Sequence, residues 1–175
     1  MKRHLIVEGM DGTGKSTLVD LIRKEMGYEL APRFCTSLGG PINDLWTQLK
    51  AAIRTLPELT PKIFDRIPLV SEPIYGSILR DYPSVMFGDT PYEKYCRSEV
   101  EKRVKQECTV VWCHPPLLIV LLNLRTDPET QLGGVVSHAK EIYSEYVRVM
   151  PQWSPIIWDY TVNSLPSLLE AIRND

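Results

Sequence analysis

Apolar residues recur along this chain in short blocks, and the spacing within each block predicts a strand or a helix. Short, mainly apolar runs, typical of buried parallel strands, lie at residues 5–8, 62–64, 109–113 and 156–158, and residues 28–34 are a further candidate strand. Apolar residues three or four positions apart, typical of helices, lie at residues 16–26, 42–55, 92–107, 137–150 and from 164 onward. This alternation predicts an α/β fold with a central parallel sheet that carries helices on both faces.

Three of these segments carry more specific expectations. Residues 117–124 are uniformly apolar, so periodicity cannot separate strand from helix, but the two prolines before them favour a helix. In the helix at 92–107 the buried stripe is predicted to be Tyr95, Cys96, Val100 and Val104. In the helix at 16–26 it is predicted to be Leu18, Leu21, Ile22 and Met26, with Gly27 ending the helix.

Composition narrows the class of protein. The chain has 175 residues, which suits a single domain over residues 1–175 with a substantial core. A formal charge of −2 gives no overall attraction for nucleic acid, although a local basic patch stays open. The four cysteines form no C-x-x-C pair, so we expect free thiols in a reducing cytoplasm. No apolar run is long enough to span a membrane or to form a signal peptide, and we expect a cytoplasmic protein.

The strongest chemical signal is the octet GMDGTGKS at residues 9–16, which fits the pattern G-x-x-x-x-G-K-[ST]. Glycines allow a tight turn whose backbone N–H groups point inward at phosphate oxygens. Lys15 is expected to reach the β- and γ-phosphates, and the Ser16 hydroxyl is expected to bind Mg²⁺. A predicted strand precedes the octet and a predicted helix follows it, so phosphate would lie at a helix N-terminus. The octet therefore predicts a nucleoside triphosphate site.

Polar residues at the ends of the predicted strands extend this site. Ligands of open parallel sheets bind beyond the carboxyl ends of the strands. Those ends carry Glu8, Asp65 with Arg66, His114 and Asp159. The N-K-x-D tetrapeptide that GTPases use to hold guanine is absent from the sequence. A small domain with its P-loop near the N-terminus is typical of nucleoside and nucleotide kinases, so we expect an enzyme, an ATP-dependent kinase.

Several segments resemble the thymidylate kinase family. The opening VEGMDGTGKST, residues 7–17, is similar to that family's EGxDGxGKST, and FDR at 64–66 is similar to the Asp-Arg that ends its third strand. The stretch DRIPLVSEPIYG, residues 65–76, resembles a variant of phage and other divergent members in which Ser-Glu and Tyr-Gly follow the Asp-Arg pair. Residues 33–41 weakly resemble the TREPGG segment. The resemblance implies a P-loop NTPase fold, ATP as phosphate donor and Mg²⁺ as cofactor.

The resemblance also implies roles for individual residues. Asp11 would bind a deoxyribose hydroxyl, with a turn-forming role as the alternative. Asp65 would organise Mg²⁺ or orient the acceptor, and Arg66 would hold an acceptor phosphate through two parallel bonds; a surface ion pair is their alternative. Glu72 and Tyr75 would line the acceptor site, although Tyr75 also suits the core. The expected ATP-binding residues are Gly9, Met10, Asp11, Gly12, Thr13, Gly14, Lys15, Ser16 and Thr17.

The chain departs from the family at two places. The lid between residues 122 and 137 carries one basic residue, Arg125, where kinases that join two anions usually have several arginines. His114 stands where the family usually has an acidic or small residue, and its role stays open. If the acceptor is a deoxynucleoside monophosphate, Arg125 would have to supply most of the charge neutralisation that several lid arginines usually share.

Two acceptors and a third function therefore stay open. One acceptor is a deoxynucleoside monophosphate. The other is the hydroxymethyl group of 5-hydroxymethyluracil within phage DNA, which carries no charge and would instead need a general base such as Asp65 or His114. The third alternative is a non-kinase switch that binds a nucleoside triphosphate. The sequence leaves the oligomeric state open, with a homodimer as one alternative.

Overall fold

A computed structural model describes residues 3–36, 40–56, 60–80, 90–126 and 133–175. In these ranges five strands form one parallel sheet in the order β2-β3-β1-β4-β5. The strands are β1 His4–Glu8, β2 Glu29–Leu30, β3 Lys62–Asp65, β4 Cys108–Cys113 and β5 Ile156–Trp158. The order places β1 at the centre, between β3 and β4.

Seven α-helices cover the sheet in the described part of the chain. They are α1 Lys15–Met26, α2 Leu45–Arg54, α3 Pro68–Leu79, α4 Pro91–Glu107, α5 Leu117–Thr126, α6 Ala139–Val149 and α7 Leu165–Asn174. A short 3₁₀ helix, Met150–Trp153, follows α6. None of the helices in the described ranges combines the length and apolar character that a bilayer crossing requires.

Two apolar layers hold the helices to the sheet. Leu5 and Val7 of β1 face one layer, which contains the buried residues of α1 and α7. Ile6 faces the other layer, which contains the buried residues of α2, α3, α5 and α6. The alternation along β1 follows from the two-residue period of a strand. The prediction of a parallel sheet with helices on both faces is confirmed.

The register of the sheet sets up the functional edge. Val7 of β1 lies beside Asp65 of β3, and Glu8 lies beside Trp112 of β4. The carboxyl ends of the three central strands therefore meet at one edge, directly where the P-loop leaves β1. Arg66 directly follows β3 and His114 directly follows β4, so both residues lie at this same edge of the sheet.

Two predicted strand boundaries and one helix differ from the structure. The second strand is confined to Glu29–Leu30 instead of 28–34, because Pro32 has no N–H to continue the ladder. Helix α3 was not predicted, since Pro68 and Pro73 obscure the apolar spacing of its sequence. Pro68 lies in the first turn, where its missing N–H costs nothing, and Pro73 is accommodated inside the helix. The helix predicted at 117–124 is confirmed as α5.

The buried faces of α4 and α1 differ from the predicted ones. In α4 only Val104 is fully buried, and Tyr95 is 63% exposed, because the N-terminal half of that helix projects from the core. In α1 Leu21 is exposed and Val19 takes its place in the apolar layer. The four cysteines are free, as predicted. The lid prediction falls partly on residues 127–132 and the TREPGG-like segment partly on 37–39, which lie outside the described residues.

Candidate active site

The P-loop joins β1 to α1 through backbone conformations that glycine alone adopts readily. Gly9 has a φ of 142°, and a Cβ there would lie 2.7 Å from the Cys113 carbonyl oxygen of β4. Gly12 has a φ of 76°, and a Cβ there would lie 3.0 Å from Leu124 of α5. The loop is thus pressed between β4 and α5, and larger residues at either position would displace it.

Lys15 is buried in spite of its charge. Its Nζ donates a 2.6 Å hydrogen bond to the Met10 carbonyl oxygen, which also accepts from Thr13 Oγ1 at 2.7 Å. Burial, with a smaller contribution from nearby Arg66, lowers the Lys15 pKa to about 8, against the opposing pull of Asp11 and other acidic groups. The ammonium therefore stays charged at neutral pH. Ser16 and Thr17 are exposed on the first turn of α1.

Asp11, Arg66 and Tyr75 form a cluster beside the P-loop. Tyr75 donates its hydroxyl proton to Asp11 Oδ2 at 2.7 Å, and the Arg66 guanidinium lies 3.0 Å from Asp11 Oδ1. The same Arg66 Nη2 donates to the Tyr75 oxygen at 3.0 Å. Burial would raise the Asp11 pKa, but Arg66 and Lys15 outweigh it and lower that pKa to about 2. The carboxylate is therefore ionised throughout the physiological range.

The backbone at Arg66 is in the left-handed region, with a φ of 69°. For a residue other than glycine this conformation costs about 1–2 kcal/mol. The Arg66 N–H donates to Val7 O at 3.0 Å, and its Nε donates to Gly9 O at 3.1 Å. The strained turn therefore directs the guanidinium from the end of β3 back across the start of the P-loop.

Glu8, the last residue of β1, is fully buried at the same junction. Its Oε1 accepts from the Ile67 N–H at 2.6 Å, and its Oε2 accepts from the Gly9 N–H at 3.3 Å and from the Tyr146 hydroxyl at 3.4 Å. Burial raises the Glu8 pKa to about 7, even though these hydrogen bonds and Arg66 favour the charged form. The Glu8 carboxylate is thus hydrogen-bonded to the start of the P-loop, to the residue after Arg66 and to α6.

A cleft of about 490 Å³, counting the open space at its mouth, begins at this cluster. Its polar side includes a Glu72–Arg80 ion pair between α3 and the residue that follows it, and burial raises the Glu72 pKa against the opposing effect of Arg80. Asp65 lines the cleft and accepts a 2.9 Å hydrogen bond from Arg33. The remaining lining residues are Phe34, Cys35, Pro41, Leu45, Arg66, Pro68, Ser71 and Tyr75.

The structure thus brings most of the predicted site residues together. Asp65, Arg66, Glu72 and Tyr75 share one cleft, and Asp11 joins it to the P-loop. Tyr75 is both core and cleft-lining, since it is buried and its hydroxyl reaches the site. Sequence reasoning missed Arg80. It lies eight residues, or about two helical turns, after Glu72, so the helical spacing would have found it had α3 been predicted.

A second missed contact lies on the other side of the P-loop. The Asn123 side-chain amide of α5 donates to Gly12 O at 2.7 Å and to the Tyr160 hydroxyl at 2.8 Å. The Tyr160 ring lies beside Gly14, where a Cβ would meet it at 3.3 Å. No sequence pattern marks this contact, because the three residues come from separate segments.

Two predicted residues, Arg125 and His114, are not among the residues that line the cleft. Arg125 is exposed on the last turn of α5 and is not among the residues that line the cleft. His114 stacks between Trp112, at a centroid distance of 3.9 Å, and Tyr143, at 5.1 Å. Burial lowers the His114 pKa, with Asp159 opposing, so the ring is favoured in its neutral form. His114 is thus part of an aromatic stack beyond β4.

Comparison with known proteins places this geometry in a recognised fold. No family model and no curated sequence matches the chain. Among solved structures, the chain is similar to the YorR protein of Bacillus subtilis in complex with phosphorylated GDP, with 21% identity over 97% of this chain and 93% of that one and a TM-score of 0.68. It is similar to deoxyadenosine kinase from M. mycoides with bound dATP, with 18% identity, coverage of 98% and 97%, and a TM-score of 0.59.

A third similar structure contains a ligand that is not a nucleotide. Shikimate kinase from Acinetobacter baumannii in complex with shikimate shares 13% identity, with coverage of 98% and 91% and a TM-score of 0.55. At these identities the likeness concerns the arrangement of strands and helices, and it extends over nearly the whole of each chain. The five-stranded parallel sheet, its helices and the P-loop after β1 therefore form the α/β fold that is found in P-loop kinases.

Proposed function

We propose that this chain is an ATP- and Mg²⁺-dependent phosphotransferase that phosphorylates a deoxynucleoside monophosphate. The single observation that carries the proposal is the Asp11–Arg66–Tyr75 cluster, which joins the P-loop to the cleft. A phosphate donor in the P-loop and an acceptor in the cleft would then meet at Arg66. Catalysis of this kind consists mainly of positioning and charge stabilisation.

Lys15 and the loop amides would stabilise the charge that develops on the transferred phosphoryl group. The P-loop leads directly into α1, so the free N–H groups of the first turn of that helix would face the phosphates. The Lys15 ammonium donates to Met10 O, and a bound phosphate would take over that bond. The buried, charged position supports a role in binding an anion, since a buried ammonium without a ligand is costly.

Mg²⁺ would be held by the Ser16 hydroxyl and the Asp65 carboxylate together with phosphate oxygens. The exposed Ser16 hydroxyl and the carboxylate at the end of β3 are hard oxygen donors, which Mg²⁺ prefers. The described residues contain no group of three or more His, Cys, Asp or Glu side chains that could hold a metal ion. Two protein donors suit Mg²⁺, because it usually keeps several waters and binds substrate phosphates. The ion would neutralise charge between the donor phosphates.

Arg66 would hold the acceptor phosphate, and the cleft would hold its nucleoside. The Arg66 guanidinium is paired with Asp11 in this structure, so an incoming phosphate would share or replace that carboxylate. Asp11 would then be available to a sugar hydroxyl. The apolar wall formed by Phe34, Pro41 and Leu45 offers a surface for a base.

A direct assay tests this proposal. ATP labelled in its γ-phosphate is offered with each deoxynucleoside monophosphate, with free nucleosides, and with DNA that contains or lacks 5-hydroxymethyluracil. Transfer to a monophosphate supports the proposal. ATP hydrolysis that no acceptor stimulates would refute it and favour the nucleotide-binding switch.

The activity of the Arg125→Ala variant distinguishes a monophosphate acceptor from other acceptors. If the acceptor is a monophosphate, Arg125 is the one lid arginine available from the sequence, and Arg125→Ala should reduce turnover on the order of 10³-fold, as for a lost arginine finger. Arg148→Ala is the matched control, because Arg148 is also exposed but pairs with Glu145 within α6. Equal small effects of both changes would contradict the monophosphate reading.

Phosphorylation of the hydroxymethyl group of 5-hydroxymethyluracil in DNA is the second candidate. Two observations favour it. Arg66 and Arg80 line the cleft and are each opposed by a carboxylate, in the pairs Arg66–Asp11 and Arg80–Glu72. Arg33, which does not line the cleft, pairs with the cleft-lining Asp65, so little net positive charge is left for a second anion.

The second observation is a groove between α2 and α4. It is lined by Lys50, Arg54, Lys102 and Arg103 together with Glu99 and Glu107, which leaves an excess of positive charge. Leu45, at the start of α2, lines the cleft, so this helix runs from the cleft towards the groove. A nucleic-acid backbone could follow that path.

Salt dependence distinguishes this candidate. Affinity for a DNA acceptor should fall steeply with salt, and Lys102→Gln with Arg103→Gln should flatten that dependence. Lys105→Gln is the control, since its ammonium lies over the Trp153 ring at 4.9 Å and does not line the groove. Transfer to a monophosphate that is indifferent to DNA and sensitive to Arg125→Ala would exclude this candidate.

A further inference from the structure

Glu8 connects the two halves of the candidate site without facing either ligand. It is fully buried at the end of the central strand, so it cannot contact a substrate in this conformation. Its two carboxylate oxygens are divided between two segments: Oε2 accepts from Gly9, the first residue of the P-loop, and Oε1 accepts from Ile67, the residue after Arg66. The 2.6 Å bond to Ile67 is the shorter of the two.

The bond to Ile67 bears on a strained part of the backbone. Arg66 has a φ of 69°, and the peptides on both sides of it are anchored at the end of β1. The Arg66 N–H donates to Val7 O at 3.0 Å, and the Ile67 N–H donates to Glu8. Because the left-handed conformation is unfavourable for arginine, these two bonds are what hold the turn in place. The guanidinium direction follows from that turn.

We propose that Glu8 is a positioning residue that couples the donor site to the acceptor site by fixing the Arg66 turn relative to the P-loop. This inference rests on the proposed function for its catalytic consequence, but the coupling itself does not require a particular acceptor. A nucleotide that reorders the P-loop would shift Gly9, and the Glu8 carboxylate would pass that shift to the Ile67 amide. Arg66 would thereby reach its working position only when the donor is bound.

The three hydrogen-bond donors at the junction match the ionised carboxylate of Glu8. Gly9, Ile67 and Tyr146 all present hydrogen-bond donors to Glu8, so an acceptor-only group satisfies every contact. A glutamine of the same length would place its NH₂ group against one of the backbone N–H donors. Glu8→Gln therefore breaks one arm of the link while it preserves volume and burial.

The first experiment follows backbone amide resonances by NMR while the β,γ-imido analogue of ATP and Mg²⁺ are added. In the wild type the Ile67 resonance should move with saturation of the P-loop. In Glu8→Gln the P-loop resonances should still move, but the Ile67 resonance should move by no more than about a tenth of the shift that it shows in the wild type. An Ile67 resonance that ignores the nucleotide in the wild type, or that moves equally in both proteins, would overturn the proposal. This readout stands even if the acceptor is misassigned.

The second experiment uses the acceptor identified by the transfer assay. Glu8→Gln should lower kcat at least tenfold while the KM for ATP changes less than about twofold. Tyr146→Phe is the matched variant, because it removes the 3.4 Å bond to Glu8 but keeps both backbone bonds, and it should keep kcat within about threefold of wild type. If the two variants lose activity in proportion to their loss of thermal stability, Glu8 is a structural residue only and the inference fails. Absence of transfer by the wild type would refute the proposed function and leave the NMR result to decide the coupling.

Discussion

Replacing Lys15 with methionine should abolish phosphoryl transfer and at the same time stabilise the protein without ligand. The ammonium is buried, and its pKa falls from 10.5 to about 8, which means that the folded environment disfavours its charge. At about 1.4 kcal/mol per pKa unit, this corresponds to roughly 3 kcal/mol of destabilisation at neutral pH. Methionine fills a similar volume without the charge.

Part of that gain is offset by the hydrogen bond to Met10 O. A bond of this kind contributes about 1 kcal/mol, and the Met10 carbonyl keeps the Thr13 hydroxyl as a donor, so it is not left unpaired. The expected net effect is about 2 kcal/mol of added stability. For a domain of this size that is a rise of roughly 4–8 °C in Tm.

The sign of the pH dependence provides a check. A lysine whose folded pKa is depressed destabilises the protein below pH 8, and this penalty fades as pH rises from 8 towards 10.5, where the unfolded chain also loses its proton. The stability difference between Lys15→Met and wild type should therefore shrink over that range. Urea denaturation at pH 7 and pH 10 measures it, and catalysis is measured by γ-phosphate transfer at pH 7.

The control is Lys24→Met, on an exposed part of the same helix, which should change stability by no more than about 0.5 kcal/mol. Loss of stability in Lys15→Met, or a gain that does not depend on pH, would refute the electrostatic reasoning. Unchanged turnover in the folded variant would refute the P-loop assignment. A buried cation kept at the expense of stability is expected where an anion binds.

Three further predictions concern the metal, the strand end and the buried carboxylate. Ser16→Ala should raise the Mg²⁺ concentration needed for half-maximal activity, since it removes a proposed ligand; a variant with wild-type metal dependence would show that the hydroxyl does not bind the ion. Asp65→Asn should lower turnover with little change in ATP affinity, whereas Arg66→Ala should mainly weaken acceptor binding, and steady-state kinetics with each substrate varied in turn will show whether the two pockets are reversed. Burial raises the Glu8 pKa from 4.5 to about 7, so the stability that protonated Glu8 contributes is complete below pH 4.5 and is lost as pH rises through 7. The wild type should therefore lose stability relative to Glu8→Gln between pH 5 and pH 7. A difference in unfolding free energy between the two proteins that stays constant over that range would contradict this.

The sequence was sufficient where local chemistry determines structure. The P-loop octet, the helix after it and Gly27, which ends that helix with a φ of 69°, are set by glycines and apolar spacing within a few residues. The Asp65–Arg66 pair was found because a strand end was recognisable in the pattern. The functional edge could then be inferred from the general behaviour of parallel sheets.

Other features depend on contacts between distant segments. Helix α3 was missed because its two prolines argue locally against a helix, and packing of Leu69, Val70 and Ile74 into the core overrides that preference. Arg80 and its ion pair with Glu72 were lost with the helix. The same limit applies to Asn123, whose bond to Gly12 links positions 111 residues apart, and to His114, whose stacking on Tyr143 no local pattern announces.

The central place of β1 in the sheet has a consequence for how the protein folds during synthesis. Leu5 pairs with Ile63, 58 residues later, and with Thr109, 104 residues later. At 5–20 residues per second a ribosome needs roughly 5–20 s to make the second partner. During that interval the apolar residues of β1 are exposed on the side that β4 will later cover, which favours chaperone binding over early folding. A nascent chain that ends at residue 107 would already contain every residue of the P-loop, yet it would lack β4, whose Cys113 carbonyl packs against Gly9.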